Sequence, residues 1–531
     1  MSSAVQPQSE PLGRIAGNKS SVAVVGGGLA GLSAACALAD AGLKVTLFER
    51  RPFLGGRASS YQLPGTGEVV DNCQHVLLGC CTNLLDFYRR TGVEDLIYWF
   101  RDLTFIEPGG RRSIIHPSML PAPFHSTPSF MQAASLSLED KTAIGRGLMA
   151  MAWLPRHWDP GKETDENFLA WLQRHGQTER AIDRFWKVVL VSALNEDLDR
   201  ISVPYAVQVF RESFLNSAAA GAMGLPTVPL SQLYHAAEDY IRQRGGEVFL
   251  RSAVASFQPD PQGVNLFTRS PNEVDDQNEA SERPARLGVR QRFDFAIMAV
   301  PFDVLARMLP RRPMSAGPED SSFDALSRQL QNFEFSPITG IHLWFDREIT
   351  DLDHAVLLDR TIQWMFNKSK IRSHVPHRVA AARPGRPPSE FSSEAPGPEG
   401  ASHYIELVVS ASKLLVDKSR AEILEMGVRE LGDFFPGVKD ARLLKGTVIK
   451  EVHATYSARP RSDLYRPAAT TTWPRVFLAG DWTATGWPAT MEGAVRSGYK
   501  AAEALAQRLD RQDRFLAPDM QPRGFMRLMR K

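Results

Sequence analysis

The chain has 531 residues, with 62 Lys and Arg against 60 Asp and Glu, and only four cysteines. This length exceeds that of a usual single domain, so we expect two or more modules. A formal net charge of +2 creates no field that would attract nucleic acid, and four cysteines suit a reducing cytosol better than a disulfide scaffold.

The start of the sequence carries no recognisable targeting signal. Residues 1–20 are polar and contain Gly, Ser and Pro, which predicts a disordered N-terminus. No charged-then-apolar segment opens the chain and no run approaches about twenty apolar residues, so we expect a cytoplasmic protein without a spanning helix. Cys73, Cys80 and Cys81 cluster without the paired C-x-x-C spacing of a zinc site, so no metal is expected.

A strand, a glycine-rich turn and a helix follow in that order. Ser21 to Val25 is an apolar, β-branched run typical of a buried parallel strand. The next glycines have the G-x-G-x-x-G spacing, which permits a tight turn, a close approach to a pyrophosphate and close helix packing: Gly26, Gly28 and Gly31. A helix over 29–41 would aim the N–H groups of Leu29 and Ala30 at those phosphates.

An acidic residue follows the second predicted strand. Lys44 to Phe48 forms that strand, and Glu49 lies about twenty residues past the glycines, where a carboxylate can accept hydrogen bonds from a ribose 2′-hydroxyl. FAD and NAD share this fingerprint. The following Arg50 and the Gly55-Gly56-Arg57 segment favour FAD, because the glycines allow close backbone approach and Arg57 can neutralise a pyrophosphate. Glu49 followed shortly by Gly-Gly-Arg resembles the FAD family that includes amine oxidases and carotenoid desaturases.

The middle of the chain begins with a helical block. Apolar spacings near three and four predict helices over 82–95, 137–153, 163–175, 178–194 and 203–218. Strands over 246–250 and 253–257 then follow. In the family that the motif resembles, such a strand pair returns the chain to the FAD domain, and the main chain at Val254 would contact the adenine.

The second half of the middle region predicts another sheet. Phe293 to Val300 is a buried strand, Ile338 to Phe345 and Tyr404 to Ser410 are strands of a second sheet, and a helix over 416–433 precedes a strand over 446–451. Residues 258–287 are polar and acidic and predict a hairpin or flexible insert. Residues 374–402 are rich in Pro, Arg and Glu and predict a second flexible insert.

A second flavin signature lies near the C-terminus. Arg475 to Ala479 is a short apolar strand that ends at Gly480 and Asp481, where ligands bind in open α/β sheets. Asp481 is suited to a ribitol hydroxyl or to phosphate-bound water. A helix then runs to about Leu509 and presents a second N-terminus to the flavin through four residues: Met491, Glu492, Gly493 and Ala494.

These elements predict an α/β fold with two interleaved parts. A Rossmann-like FAD-binding domain of the amine-oxidase type would use residues 21–80, 226–305 and 440–510. A mixed α+β substrate domain that includes the helical block would use 81–225 and 306–439. No second G-x-G-x-x-G follows a strand, so no separate NAD(P)H domain is expected.

Three segments resemble one branch of that family. Asp71 to Gly79, Leu120 to His125 and Ala479 to Gly498 resemble the squalene-associated FAD-dependent desaturases of bacterial hopanoid clusters, a group understood as hydroxysqualene dehydroxylase. The resemblance covers about residues 21–508. It implies a C30 isoprenoid lipid substrate, neighbouring enzymes of the squalene pathway, and reductive loss of an allylic hydroxyl with hydride delivery from reduced FAD.

Such a reaction needs a proton donor near the leaving oxygen. Asp71 and His75 are the candidate catalytic acids, because they follow a strand early in the substrate region and both side chains can carry a proton. A structural role is an equal alternative for each, and His125 has a similar loop interpretation.

Residues 511–531 form a basic, amphipathic tail. Seven apolar residues alternate with four cations, Arg523, Arg527, Arg530 and Lys531, so the tail is expected at an anionic membrane surface, at the inner face of the cytoplasmic membrane. A frayed basic tail is the competing interpretation.

Two other functions remain open at this point. The first is an oxidative enzyme of the same fold, either a phytoene-type carotenoid desaturase or a flavin amine oxidase, which would take hydride from its substrate. The second is a non-catalytic lipid-binding protein on the same fold. A complete cofactor site built from Glu49, Arg57 and Asp481 argues against the second.

Overall fold

A five-stranded parallel sheet carries the first glycine motif. The structure, a computed structural model, describes residues 20–64, 67–154, 163–269, 287–310, 321–374, 398 and 400–528. The strand order across this sheet is Glu247–Phe249, Lys44–Phe48, Ser21–Val25, Phe295–Met298 and Val476–Leu478, and every pairing is parallel. The strands are therefore contributed by three separate stretches of the chain.

Three helices cover one face of this sheet. They are Leu29–Asp40, Leu230–Gln243 and Met491–Arg508. The first and last of them cross at Gly498, where a Cβ atom would lie 2.2 Å from the Ala30 carbonyl oxygen. This close crossing brings the helix of the N-terminal motif directly against the helix of the C-terminal motif.

A small antiparallel sheet covers the opposite face. Its strands are Val254–Asp260, Gly263–Arg269 and Leu287–Phe293. Phe257 and Leu266 pack into one apolar cluster with Phe48 of the parallel sheet. The expected insert over 258–287 is thus a hairpin over its first part, because residues 258–260 and 263–269 pair as strands; residues 270–286 lie outside the described residues.

A seven-stranded sheet forms the second layer. Its order is Leu443–Tyr456, Phe335–Phe345, His403–Ser410, Trp364–Asn367, His354–Leu357, Leu103–Ile106 and Arg112–Ile115. The helix Arg420–Phe434 packs Ile423 and Leu431 against it. The expected insert over 374–402 falls largely on residues 375–397 and 399, outside the described residues.

Two predicted domain limits need correction. The strand Leu443–Tyr456 pairs with Phe335–Phe345 along most of its length, so it belongs to the second sheet and not to the FAD domain. The helix Thr82–Thr91 buries Leu84 and Phe87 in the core beneath the parallel sheet, so it belongs to the first layer.

The helical block forms a layer of its own. Its helices are Thr127–Gln132, Leu138–Ala152, Phe168–Arg174, Glu179–Ala181, Lys187–Leu194 and Val203–Val209. Two π-turns, Ile182–Trp186 and Phe210–Leu215, interrupt the expected α-helices. Such π-turns are frequent at functional sites, because they redirect side chains within a helix.

Short elements connect the layers. Two small antiparallel sheets pair Ser60–Gln62 with Val69–Asp71, and Leu77–Leu78 and Ile97–Phe100 with Met223–Pro226. Within the described residues, the remaining α-helices are Phe302–Met308, Ser321–Leu330 and Lys368–Ser373. Within the described ranges, no helix has the length and apolar character needed to cross a lipid bilayer.

The C-terminal tail folds back onto the protein. The Phe515 and Leu516 amides donate to the Glu503 carboxylate at 2.7 and 2.9 Å, and Met526 is buried in a short 3-10 turn, Gly524–Arg527. Part of the apolar character expected to face a membrane is therefore used inside the protein. Phe525 stays half exposed.

Candidate flavin site and substrate passage

The glycines of the N-terminal motif form a backbone cradle. Gly26 has a φ of +112° and a Cβ there would lie 2.4 Å from the Ala299 carbonyl oxygen. The Gly55 amide donates to the Gly27 carbonyl at 2.8 Å, and a Cβ on Gly56 would lie 3.0 Å from the Gly28 Cα. The loop that holds Gly55 and Gly56 therefore lies against the first glycine turn, and side chains would fill the space between them.

The helix Leu29–Asp40 begins without a side-chain cap. Its N-cap is Gly28, and its first turn contains no acidic residue. The backbone N–H groups at this end, at Leu29 and Ala30, thus provide donors for an anion. Gly31 serves packing, because a Cβ there would lie 1.9 Å from the Gly26 carbonyl oxygen.

Glu49 lies at the carboxyl end of the second strand and is buried. Its carboxylate accepts from the Gly27 amide at 2.7 Å and from the Arg51 amide at 2.8 Å. These bonds fix the carboxylate beside the glycine turn, while lone pairs remain for a ribose hydroxyl.

Arg57 joins the two motifs. Its guanidinium donates to the Asp481 carboxylate at 2.6 Å and to the Ala454 carbonyl at 3.1 Å. Burial alone would lower the pKa of Arg57, but the Asp481 carboxylate outweighs that effect and the pKa is raised. Besides the expected role as a pyrophosphate partner, Arg57 thus orients Asp481.

The C-terminal motif is held by specific packing. Gly480 has a φ of +150°, and its amide donates to the Ser497 hydroxyl at 2.8 Å. The Thr490 hydroxyl caps the helix Met491–Arg508 by accepting from the Gly493 amide at 3.0 Å. A Cβ on Gly493 would lie 2.4 Å from the Pro488 carbonyl oxygen, so this glycine, like Gly31, serves packing.

Glu492 also has a packing role. Its carboxylate accepts from the Leu84 amide at 2.8 Å and from the Asn83 side chain at 3.0 Å, at the start of the helix Thr82–Thr91. Arg496 donates to the same carboxylate at 2.7 Å. The side chain expected beside the flavin is therefore directed at a neighbouring helix.

One cavity of about 510 Å³ connects these parts. Asn72 lines it, and the buried Oδ1 of that residue has no hydrogen-bond partner among the described residues. The glycine cradle, the uncapped helix and this unpartnered oxygen all fit a bound FAD. The predicted cofactor residues that line the cavity are Gly26, Gly28, Leu29, Ala30, Glu49, Arg50, Gly55, Gly56, Arg57, Val254, Gly480, Asp481, Met491, Glu492 and Ala494.

A family comparison agrees with this cavity. The model of the flavin containing amine oxidoreductase family matches residues 29–506. The chain belongs to the flavin-containing amine oxidoreductase family. Its cofactor is FAD, and it is an FAD-dependent oxidoreductase.

Relatives and solved structures extend this likeness over 90–92% of the chain. The 15-cis-phytoene desaturase of Synechococcus elongatus is 28% identical over 92% of this chain and 96% of its own length. The zeta-carotene desaturase of Synechocystis is 24% identical over 91% and 96%. An oxidoreductase from Methanosarcina mazei has a TM-score of 0.62 at 17% identity, covering 90% of this chain and 98% of its own. A putrescine oxidase has a TM-score of 0.62 at 15% identity over 92% and 99%, and both structural likenesses show a shared fold.

Beyond the motifs, the large cavity of this flavin-containing oxidoreductase becomes apolar. Side chains from the second sheet and the helical block line it together with Met223 of the small sheet strand Met223–Pro226: Leu103, Phe105, Val188, Val189, Val209, Phe214, Met223, Ile338, Val356, Trp364, Phe366 and Val408. Sequence reasoning missed these residues, because apolar positions facing a cavity have the same periodicity as positions facing the core.

A second cavity of about 160 Å³ adjoins the first. The two share five lining residues: Leu103, Phe105, Val189, Ser213 and Phe214. The loop around Pro117, Pro123 and His125 lines part of the smaller cavity. We call the two cavities together the apolar passage.

The structure contradicts the assignment of Asp71 as a proton donor. Its carboxylate is buried outside the cavity lining and accepts from the Ser60 hydroxyl at 2.6 Å and the Lys368 ammonium at 2.9 Å. Although burial opposes ionisation, Lys368 and Ser60 hold the pKa of Asp71 at about 2. A carboxylate that stays ionised and bonded in this way has a structural role.

His75 does line the cavity. Its Nδ1 lies 2.8 Å from the Cys73 carbonyl oxygen, and burial lowers the pKa of the imidazole. The ring is therefore neutral at pH 7, with the proton on Nδ1. Its Nε2 is the atom that can exchange a proton.

A buried charge cluster supports the loop that contains His75. The Lys368 ammonium donates to Gln74 at 2.6 Å and lies 3.5 Å from the Glu406 carboxylate. Burial raises the pKa of Glu406 to about 7. Sequence reasoning missed this cluster, because Lys368 and Glu406 stand about three hundred residues from Asp71.

Proposed function

We propose that this protein exchanges a hydride between FAD and the carbon chain of a long isoprenoid lipid. The apolar passage is the observation that supports this proposal. It starts at the flavin motifs and continues between the second sheet and the helical block, with a mainly hydrocarbon lining. Such a passage suits an extended apolar molecule, because apolar atoms form most of its wall.

The first candidate direction is oxidative desaturation. Relatives named as phytoene and zeta-carotene desaturases match 92% and 91% of the chain, which favours this direction over the reductive one that the three motifs suggest. In desaturation, a bound FAD would supply the hydride acceptor. The substrate would lose a hydride from one carbon and a proton from the neighbouring carbon, so that a C–C single bond becomes a double bond.

The second candidate is reductive dehydroxylation of hydroxysqualene to squalene. One observation favours it: the three segments that resemble this branch all contribute to the passage. Asn72 to Val76 and Leu78 line the large cavity, Pro123 and His125 line the small one, and Gly480 to Trp482 lie at the flavin end. In this reaction the allylic alcohol takes up a proton and a hydride, and the products are a hydrocarbon and water.

The residues of the passage suit either direction. Both pass through electron-poor carbon, which aromatic faces stabilise. Trp364 and Phe366 stack with ring centroids 5.5 Å apart at the cavity wall, and Phe105 and Phe214 lie at the junction of the two cavities. The same walls exclude water from the reacting carbon.

An anaerobic experiment distinguishes the candidates. Oxidised protein with phytoene should lose its flavin absorbance near 450 nm if desaturation is correct. Photoreduced protein with hydroxysqualene should regain that absorbance and release squalene if dehydroxylation is correct. A response to putrescine alone would contradict both and favour an amine oxidase. A colourless protein that binds phytoene would favour a lipid carrier instead.

A further inference from the structure

The loop that lines the small cavity of the apolar passage carries exposed apolar side chains. The loop 117–124 exposes Met119, Leu120 and Phe124, and the last turn of the described chain exposes Phe525 and Leu528. Leu528 is 81% exposed. Large exposed apolar side chains gathered from separate parts of a chain mark an interaction surface.

The loop and the C-terminal turn form one unit. The Phe525 amide donates to the Ala122 carbonyl at 2.9 Å, and the rings of Phe124 and Phe525 meet edge to face at 6.0 Å. A Cβ on Gly524 would lie 2.5 Å from the Ala122 carbonyl oxygen, so the two backbones are in close contact. We call this unit the outer patch.

A third element extends the outer patch. Met526 is buried with Ala122 and Ala152, at the end of the helix Leu138–Ala152. The following Trp153 is 69% exposed, and Met149 of the same helix is also exposed. The tail is thus anchored by one buried methionine, while neighbouring aromatic and aliphatic side chains project into solvent.

Cations stand beside these apolar groups. Arg523 and Arg527 are exposed on either side of Phe525. Arg530 and Lys531 follow in the sequence, outside the described residues. Apolar side chains mixed with arginines match an anionic bilayer, whose headgroups attract the cations while its hydrocarbon accepts the apolar groups.

The outer patch also adjoins the small cavity of the passage. Pro117 and Pro123 of the same loop line the small cavity, and so do the exposed residues His116 and Thr127. An apolar molecule leaving a membrane at this surface would therefore enter the passage without crossing water.

We propose that the outer patch docks the protein on an anionic lipid membrane and places the passage entrance at the bilayer. The tail acts together with the loop 117–124 and the end of the helix Leu138–Ala152, not as a separate amphipathic segment. This proposal rests on the exposed surface, and it holds for either direction of the proposed reaction.

Vesicle co-sedimentation tests the proposal on the full-length, FAD-loaded protein. Wild type should sediment with phosphatidylcholine vesicles that contain phosphatidylglycerol and less with phosphatidylcholine alone. The double variant F525S/L528S should bind about tenfold more weakly, because two apolar side chains no longer leave water. The variant R523Q/R527Q should bind more weakly at low salt and lose most of its salt dependence.

A matched control comes from another surface. Leu414 is 88% exposed on the turn Lys413–Leu415, and L414S should bind vesicles like wild type. Equal binding by wild type and F525S/L528S would overturn the proposal, as would a wild-type protein that ignores vesicles and dimerises through this patch. Flavin content and turnover of detergent-dispersed substrate, measured on the same samples, report separately on the proposed function.

Discussion

Arg57 and Asp481 form an ion pair of 2.6 Å although 424 positions separate them in the sequence. Arg57 follows the glycine pair of the N-terminal motif, and Asp481 follows the last strand of the parallel sheet. Because Arg57 also donates to the Ala454 carbonyl, the pair connects both motifs to the long strand of the second sheet. A direct contact between the N-terminal and C-terminal motifs therefore holds the two parts of the flavin site together.

Replacing Arg57 should weaken FAD binding more than folding. R57A leaves the buried Asp481 carboxylate without its charged partner, and we expect a loss of about 1.5–3 kcal/mol in FAD affinity. Flavin titration followed by fluorescence measures this change. The control R292A breaks an Arg–Asp pair with Asp260 on the hairpin outside the cavity and should leave FAD affinity unchanged. Equal effects of the two variants would contradict a site-specific role.

Alanine substitutions at two glycines of the same motif should have different effects, one on FAD binding and the other on stability. A Cβ on Gly28 would lie 3.8 Å from the Gly56 Cα, an ordinary contact, whereas one on Gly31 would lie 1.9 Å from the Gly26 carbonyl oxygen. G28A should therefore fold normally and lose FAD, because the methyl group occupies ligand space. G31A should lose about 1–3 kcal/mol or more of stability through overpacking.

Thermal unfolding and bound-flavin absorbance separate these two effects. If G28A lowered the unfolding temperature of the FAD-free protein as much as G31A, Gly28 would be a packing residue rather than part of the cradle.

The sequence predicted the parallel strands and the glycine turn, because both have strong local signals. Ser21 to Val25 and Lys44 to Phe48 appear with the expected bounds. The π-turn Phe210–Leu215 was not foreseen, since a π-turn retains the apolar spacing of an α-helix over a few residues. The sequence interpretation assigns the strand Leu443–Tyr456 to the FAD domain, whereas it pairs in the second sheet. An apolar strand pattern does not indicate which strand it pairs with.

In the candidate site too, local sequence patterns predict the position of a residue along the chain but not its tertiary partner. Glu49 directly follows one strand and Asp481 lies three residues after another, so their positions could be predicted from the motifs. Asp71 ends a strand, but its partner Lys368 lies on a distant helix, and only the structure shows that this contact keeps the carboxylate ionised at neutral pH. Tertiary contacts of this kind leave no periodicity in the sequence.

Glu406 should make the protein less stable as the pH rises. Burial raises the pKa of Glu406 from 4.5 to about 7, so folding favours the protonated form. The contribution of Glu406 to the free energy of unfolding is fully present below pH 4.5 and is lost as the pH rises through about 7. E406Q should therefore be more stable than wild type at pH 8, by on the order of 3 kcal/mol, with little difference near pH 4.

Glu422, whose pKa is lowered rather than raised, serves as the control. Hydrogen bonds from Ser419 lower the pKa of Glu422 in the capping box of the helix Arg420–Phe434. Its contribution is present above its ordinary pKa and is lost on acidification, so E422Q should be less stable than wild type at pH 8 and approach it at low pH. Parallel pH curves for E406Q and wild type would contradict the assignment.

If the protein removes a hydroxyl, we expect the pH dependence of the dehydroxylation rate to show whether His75 is the proton donor. Burial lowers the pKa of its imidazole, and the Nδ1 proton is directed at the Cys73 carbonyl. Only the imidazolium can donate from Nε2, so single-turnover dehydroxylation should accelerate as the pH falls below the ordinary range of histidine. H75N should flatten that profile while retaining flavin. A wild-type profile without acid dependence would exclude His75 as the donor.

A bulky residue at the junction of the two cavities should block long substrates selectively. Val189 lines both cavities, so V189W places an indole in the apolar passage. We expect kcat/KM for a C30 or C40 isoprenoid to fall about ten- to hundredfold, since overpacking there costs about 1–3 kcal/mol of substrate binding. FAD absorbance and the unfolding temperature should change little. The control K187W adds the same side chain to the solvent face of the same helix and should keep wild-type turnover. Full activity of V189W would show that the substrate does not use this passage.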